Sequence, residues 1–262
     1  MRLSFVCCFI VLNYFAFAQA NKDSLMLIEQ HSFYNDTLKK LDSSLYEFAK
    51  LKNNLLQVIQ EEYCFWNEPI MRTEMQDASV QKIKDYWQCL NIKPTTKQVK
   101  NFNWQEAHPW SAAFISWCMQ KAGYEECFLL SPNHAKYIIW ARDNKISGAT
   151  NHPFWAYSIN DKVAKYPVAG DLLCKNREGK NFNLDNIHRY AISHCDVVFD
   201  VDYVNGIIIT IGGNVADKVN KRWVFLDANG YIDTNAAWLS FDANGIATTG
   251  SQQDFFSIIK VQ

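Results

Sequence analysis

SHCDVVFDVDYVNGIIITIGG, residues 193–213, reads as two β-strands and the turn between them. β-Branched residues dominate both runs, and Val204-Asn205-Gly206-Ile207 carries the asparagine-glycine pair that favours a tight hairpin. Outward from this hairpin, GDLLC (170–174), KRWVFLD (221–227) and FFSIIKV (255–261) have the same texture and are separated by turn residues. Upstream of Val168 the pattern changes to helical spacing. Four helices are predicted, over 37–60, about 73–90, 109–121 and 133–142. Helices first and antiparallel strands second predict an α+β domain whose helices pack on one face of the sheet.

Two of these helices need comment. Between Thr37 and Gln60, Leu38, Leu41, Leu45, Phe48, Leu55 and Ile59 form an apolar stripe interrupted by Lys52. A partner protein could take this 37–60 helix, but a lysine within so short a stripe favours packing on the chain's own body. The helix over 109–121 has Pro109 in its first turn and Gly123 just past its end, the usual asymmetry of helix termini.

The chain's beginning has its own signature. MRLSFVCCFIVLNYFAFAQA combines Arg2, an apolar run from Leu3 to Phe17 and a small-residue ending at Ala18 and Ala20. It predicts a signal peptide over 1–20 and hence export to the periplasm or the extracellular space. The run is too short for a stable membrane span, and nothing later approaches the ~20 apolar residues a span needs. An N-terminal helical extension then occupies 21–60, and the α+β domain 61–262.

Charge excludes some partners. With 26 Lys and Arg against 27 Asp and Glu, the chain has no basic excess for nucleic acid or an anionic membrane surface. Beyond the leader lie Cys64, Cys89, Cys118, Cys127, Cys174 and Cys195, an even set in a compartment that permits disulfides. The pairs Cys118–Cys127 and Cys174–Cys195 are expected. No C-x-x-C, His-x-x-x-His, G-x-S-x-G or phosphate loop occurs, so no metal or other cofactor is expected. DANG occurs at Asp227 and Asp242, but its glycine and downstream residues miss the calcium-loop positions, and asparagine-glycine turns explain both copies better.

The chemistry centres on HPWSAAFISW, residues 108–117. Ser111 falls in the first turn of a helix, where free backbone N–H groups and the positive dipole end favour a developing anion. Serine is also an ordinary first-turn residue, and by spacing alone Ser111 reads as structural. A serine nucleophile needs a base, and His194 opens a strand with Asp196 on its own face. Cys195 points to the other face, and Cys118 lies about ten ångström down the helix, so neither suits as nucleophile. Asn214, after Gly212 and Gly213, could orient the imidazole and complete a serine, histidine and amide set, although the glycines alone read as a turn or bulge.

Taken together, PWSAAFISWCMQKAG, SPNHAKYI, PVAGDLLC, SHCDVV and IGGNVADKV resemble the bacterial family of domain of unknown function 2272, from about Glu61 to the C-terminus. That family in turn looks like a relative of the NlpC-type and CHAP-type cell-wall hydrolases, which are papain-like. The resemblance implies a papain-like α+β fold and a hydrolase, an amidase or peptidase, acting on peptidoglycan or cell-wall peptides. By it, Ser111 occupies the cysteine position, His194 the base position and Asn214 the orienting position, with Asp196 helping to hold the imidazole. His134 is expected at the cleft rim, with Trp110 and Tyr137 against substrate and Trp117 and Trp155 as further walls; Asp171 is structural. Serine in place of the thiol departs from the pattern, because an alkoxide is several pKa units harder to form than a thiolate. Two readings therefore stand: a Ser-His hydrolase, or a fold that lost catalysis and kept a binding cleft.

Overall fold

The computed structural model describes residues 24–150, 152–177, 182–241, 247–252 and 254–261. The predicted leader and the second DANG lie outside the described residues. Six α-helices come first: α1 Ser24–Asn67, α2 Asp77–Gln88, α3 Thr96–Val99, α4 Phe102–Ala107, α5 Ser111–Ala122 and α6 His134–Ser147. The strands follow, β1 Phe154–Ser158, β2 Leu172–Asn176, β3 Ser193–Asp202, β4 Ile207–Gly212, β5 Asn220–Phe225, β6 Ala237–Phe241, β7 Ala247–Gln252 and β8 Phe255–Val261. They form one antiparallel sheet in the order β1-β8-β2-β3-β4-β5-β6-β7. The protein is therefore α+β, with the helices packed against the sheet. None of the described helices is long and apolar enough to cross a membrane.

Contacts divide the chain into two units, 1–50 and 51–262. The first holds the beginning of α1. In the second, Leu55 and Ile59 from the end of α1 are buried in the main core. That core also holds Val80 and Ile83 of α2, Phe114 and Cys118 of α5, Ile138 of α6, and Leu172, Val197 and Ile211 of the sheet. Alternation along the strands puts Leu173, Val198, Ile208 and Val224 on the opposite face, where they make a second apolar cluster with Ile232 and Phe255. The sheet is thus covered on both faces, by helices on one and by chain from the β5–β6 connection on the other.

The hairpin of residues 193–213 forms β3 and β4. Its turn is held by Asp202, whose carboxylate accepts from the Val204 and Asn205 N–H groups, both at 3.0 Å, and Gly206 takes the left-handed conformation the turn requires. In α5 the helix proper starts at Ser111, two residues later than the proline suggested, and Gly123 at φ 97° closes it. β1, β6 and β7 escape the sequence pattern because FWAYS, AWLSF and ATTGSQ lack a long β-branched run.

Cys174 and Cys195 face each other across β2 and β3 and form a disulfide. The expected Cys118–Cys127 pair is not formed, and both cysteines are free. Cys118 is fully buried on the core side of α5, whereas Cys127 lies beyond the Gly123 turn in the Tyr124–Cys127 loop. Asp171, at the start of β2, is structural: it accepts from Lys260 of β8 and from the Val168 N–H, each at 2.8 Å.

Candidate functional site

Ser111, His134, His194 and Asp196 converge although they come from two helices and a strand. They are 2%, 5%, 3% and 2% exposed. Ser111 opens α5, and the N-cap residue Trp110 provides no side-chain cap. The first helical bond runs from the Phe114 N–H to the Trp110 carbonyl, at 2.9 Å, so the amides of Ser111, Ala112 and Ala113 come before the first intrahelical donor and have no acceptor within the helix.

The immediate partner of Ser111 is His134, with Oγ 2.7 Å from Nε2. Asn133 caps α6 by accepting from the Ala135 N–H at 2.8 Å, which starts the helix at His134 and aims its ring toward α5. At its other nitrogen, Nδ1, His134 receives the backbone N–H of Cys195 at 3.2 Å and also meets the Tyr137 hydroxyl. A backbone amide can only donate, so Nδ1 is the bare nitrogen and the proton sits on Nε2. His134 therefore donates to Ser111, and the serine's own proton is left for another acceptor.

His194 lies beside this pair, its ring centroid 5.2 Å from that of His134. Its Nε2–H donates to Asp196 Oδ1 at 2.7 Å, which leaves Nδ1 as the basic nitrogen. Asp196 also accepts from Arg222 of β5. The carboxylate thus joins β3 to β5 across β4, and the space for it comes from Gly212, where a Cβ would overlap the Asp196 side chain. Gly213, next in the chain, lies against Phe114 of α5, and a Cβ there would come within 2.7 Å of that ring. After it, Asn214, Ala216 and Asp217 all have positive φ. Such strain is held only where surrounding contacts overdetermine it.

Burial tunes the charges. It pushes the His194 imidazole down to about 4, opposed by Asp196 and reinforced by Arg222 and Lys175. Burial together with His194 holds His134 well below the usual histidine range. Burial also opposes ionisation of Asp196, but Arg222 and His194 outweigh it and keep the carboxyl well below its ordinary range. Both histidines are consequently neutral near pH 7. Because their folded-state values lie below the ordinary 6.5, the unfolded chain binds more protons in mildly acidic solution. Their contribution to stability is complete above about pH 6.5 and is lost as the pH falls below it, for His194 toward about 4. Urea unfolding between pH 7 and 4 should show a falling unfolding free energy, and His134→Gln should flatten that slope by up to ~1.4 kcal/mol per pH unit. An unchanged slope would mean that His134 titrates normally in the folded protein.

The remaining expected site residues are distributed otherwise. Tyr137 is fully buried and acts on His134. Trp110 is fully buried between Trp66 and Tyr86, with stacked centroids at 5.3 and 5.6 Å, and its indole N–H donates to Glu74 at 3.0 Å. Trp117 packs on Tyr86, and the indole of Trp155 donates to the Ala149 carbonyl at 3.3 Å. Among the described residues no hydrogen bond joins Ser111 to His194, or Asn214 to either histidine; Asn214 is half-buried on the loop after β4. Arg222 was not singled out from sequence, yet an arginine at a buried position of the alternating strand NKRWVF is a signal that a carboxylate must face it. No group of three or more histidine, cysteine, aspartate or glutamate side chains that could hold a metal occurs among the described residues.

One family model matches the chain over residues 74–261, that of DUF2272, described as an uncharacterised protein conserved in bacteria. No curated protein and no solved structure matches it.

Proposed function

The chain belongs to the bacterial DUF2272 family, and we propose that this member is an exported amidase or peptidase of papain-like, NlpC-type architecture that acts on peptidoglycan or related cell-wall peptides, with Ser111 as nucleophile. The observation that carries the reading is the position of Ser111 at an uncapped helix start, held by His134, whose ring in turn lies against a histidine fixed by a carboxylate. Ser111, His134, His194, Asp196 and Arg222 are buried together, and such a cluster of polar and ionisable side chains is costly to fold, which favours a chemical use for it.

In this reading Ser111 Oγ attacks the amide carbonyl carbon and its proton passes to His194 Nδ1. Asp196 stabilises the imidazolium so formed, and the amides at the start of α5 receive the oxyanion. His194 then protonates the leaving amine as the carbon–nitrogen bond breaks. Water attacks the acyl-serine by the reverse sequence, with His194 again taking the proton. His134 keeps its proton and donates to Ser111 Oγ, fixing the rotamer of the nucleophile. A hollow of about 390 Å³ lies at the end of β2, lined by residues that include Asn176, Thr234, Asp254 and Phe255. Asn176 pairs with Ser193, the neighbour of His194, and Ser111, His134 and His194 themselves are not part of the hollow's lining. The Cys174–Cys195 disulfide supports an oxidising compartment.

The near-complete burial of Ser111 and His194 favours a second reading, a binding protein of the same architecture without catalysis. Purified peptidoglycan separates the two. The protein lacking residues 1–20 should release soluble fragments, and Ser111→Ala should lower the rate at least ~10³-fold. Activity that survives this substitution, or none in the wild type, would remove Ser111 as nucleophile.

A further inference from the structure

The face of the sheet that carries His194 and Asp196 also carries a group of donors that the proposed hydrolysis does not use. Lys175 lies directly opposite His194 across β2 and β3. Thr210 and Arg222 face each other across β4 and β5, and Arg222 reaches Asp196. Trp238 of β6 connects the group: the Lys175 ammonium lies 4.9 Å from its ring centroid and the Arg222 guanidinium 5.0 Å.

These groups are unevenly satisfied. Arg222 Nε and Thr210 Oγ1 are buried without a hydrogen-bond partner among the described residues. No carboxylate of the described residues stands within ion-pair distance of Lys175. Among the described residues the one carboxylate inside the group, Asp196, is already shared by His194 and Arg222. Among the described residues of the group donors therefore exceed acceptors, and after Arg222 and Asp196 neutralise one another the remaining cationic group is Lys175. Arg177 and Asp254 also act on Lys175 but with opposite signs. Buried donors left over in this way call for an acceptor from outside the chain.

We infer that Lys175, Trp238, Arg222 and Thr210 form a recognition subsite for a carboxylate of the substrate, placed beside His194. A monoanion matches the cationic group of Lys175, which the Trp238 ring holds in place beside Arg222. The inference rests on the hydrolase reading and names its substrate class, a peptide with a free carboxylate close to the bond that is cut. Burial, followed by Arg222, pushes the Lys175 ammonium down to about 7, against the attraction of Asp196. A bound carboxylate favours the ammonium, so binding takes up a proton and weakens as the pH rises from 7 to 9.

The test is calorimetric and uses the Ser111→Ala protein, so that turnover plays no part. N-Acetyl-alanyl-alanine and its C-terminal amide are titrated at pH 7 and 9. The carboxylate form should bind at least ~10-fold more tightly at pH 7, with a smaller advantage at pH 9. Lys175→Met should abolish the preference and Lys175→Arg should restore it, which separates lost charge from lost fold. Equal affinity for the two peptides, or a preference that survives Lys175→Met, would overturn the inference. If the hydrolase reading alone failed, the preference would persist in a protein whose wild type leaves peptidoglycan intact.

Discussion

Asp196→Ala is expected to lower folding stability by about 3–5 kcal/mol, because it strands Arg222 as a buried charge without its counter-ion. Arg222 is 6% exposed and donates to Asp196, whose other oxygen holds His194. Removing the carboxylate therefore costs two hydrogen bonds and leaves a guanidinium in a low-dielectric site. Most of that loss belongs to the orphaned charge, so Arg222→Met in the same chain should recover more than half of it. Urea unfolding of the two single variants and the double variant measures this directly. Additive losses would mean that Asp196 and Arg222 do not depend on one another in the folded protein.

His194→Gln is expected to reduce hydrolysis by about 10³-fold, in the range for loss of a general base, and His134→Gln by far less. The distinction follows from where the protons sit. The Cys195 N–H occupies His134 Nδ1, so Nε2 carries hydrogen and faces Ser111 as a donor. A glutamine amide can replace such a donor but cannot replace a base. For His194 the carboxylate of Asp196 holds Nε2–H, and the opposite nitrogen is available to take a proton. The pH profile of kcat/KM, which reports the free protein, should fall on an acidic limb near pH 4, where His194 becomes protonated, rather than near 6.5. A larger loss in His134→Gln than in His194→Gln would make His134 the base and reverse the roles of the two histidines.

Much of the fold was legible because its strands are written in β-branched residues and its helices in apolar spacing. The β3–β4 hairpin follows from Asn205 and Gly206, and the end of α5 from Gly123. Strands β6 and β7 were not legible: AWLSF and ATTGSQ acquire their conformation by pairing with neighbours, not from their own pattern. The site was legible one residue at a time. Ser111 was conspicuous as a helix start and His194 as a strand start with Asp196 on its face. Their linkage through His134 was not, because it depends on how closely α6 approaches the Cys195 N–H, and no spacing in the sequence encodes the distance between two elements. Arg222 and Lys175 were hidden for the same reason, since each is brought to Asp196 or His194 by cross-strand register. Gly212 and Gly213 read as turn residues. They are short because Asp196 and Phe114 fill the space where side chains would stand.

The most direct measurement is covalent labelling by a fluorophosphonate, which forms a stable phosphonyl ester with an activated serine oxygen as fluoride leaves. Mass spectrometry of the wild-type protein lacking residues 1–20 should find one adduct, on the peptide that contains Ser111. The adduct should be absent in Ser111→Ala and strongly reduced in His194→Gln. An unlabelled wild-type protein, or equal labelling when Ser111 is replaced, would contradict the assignment of Ser111 as the nucleophile.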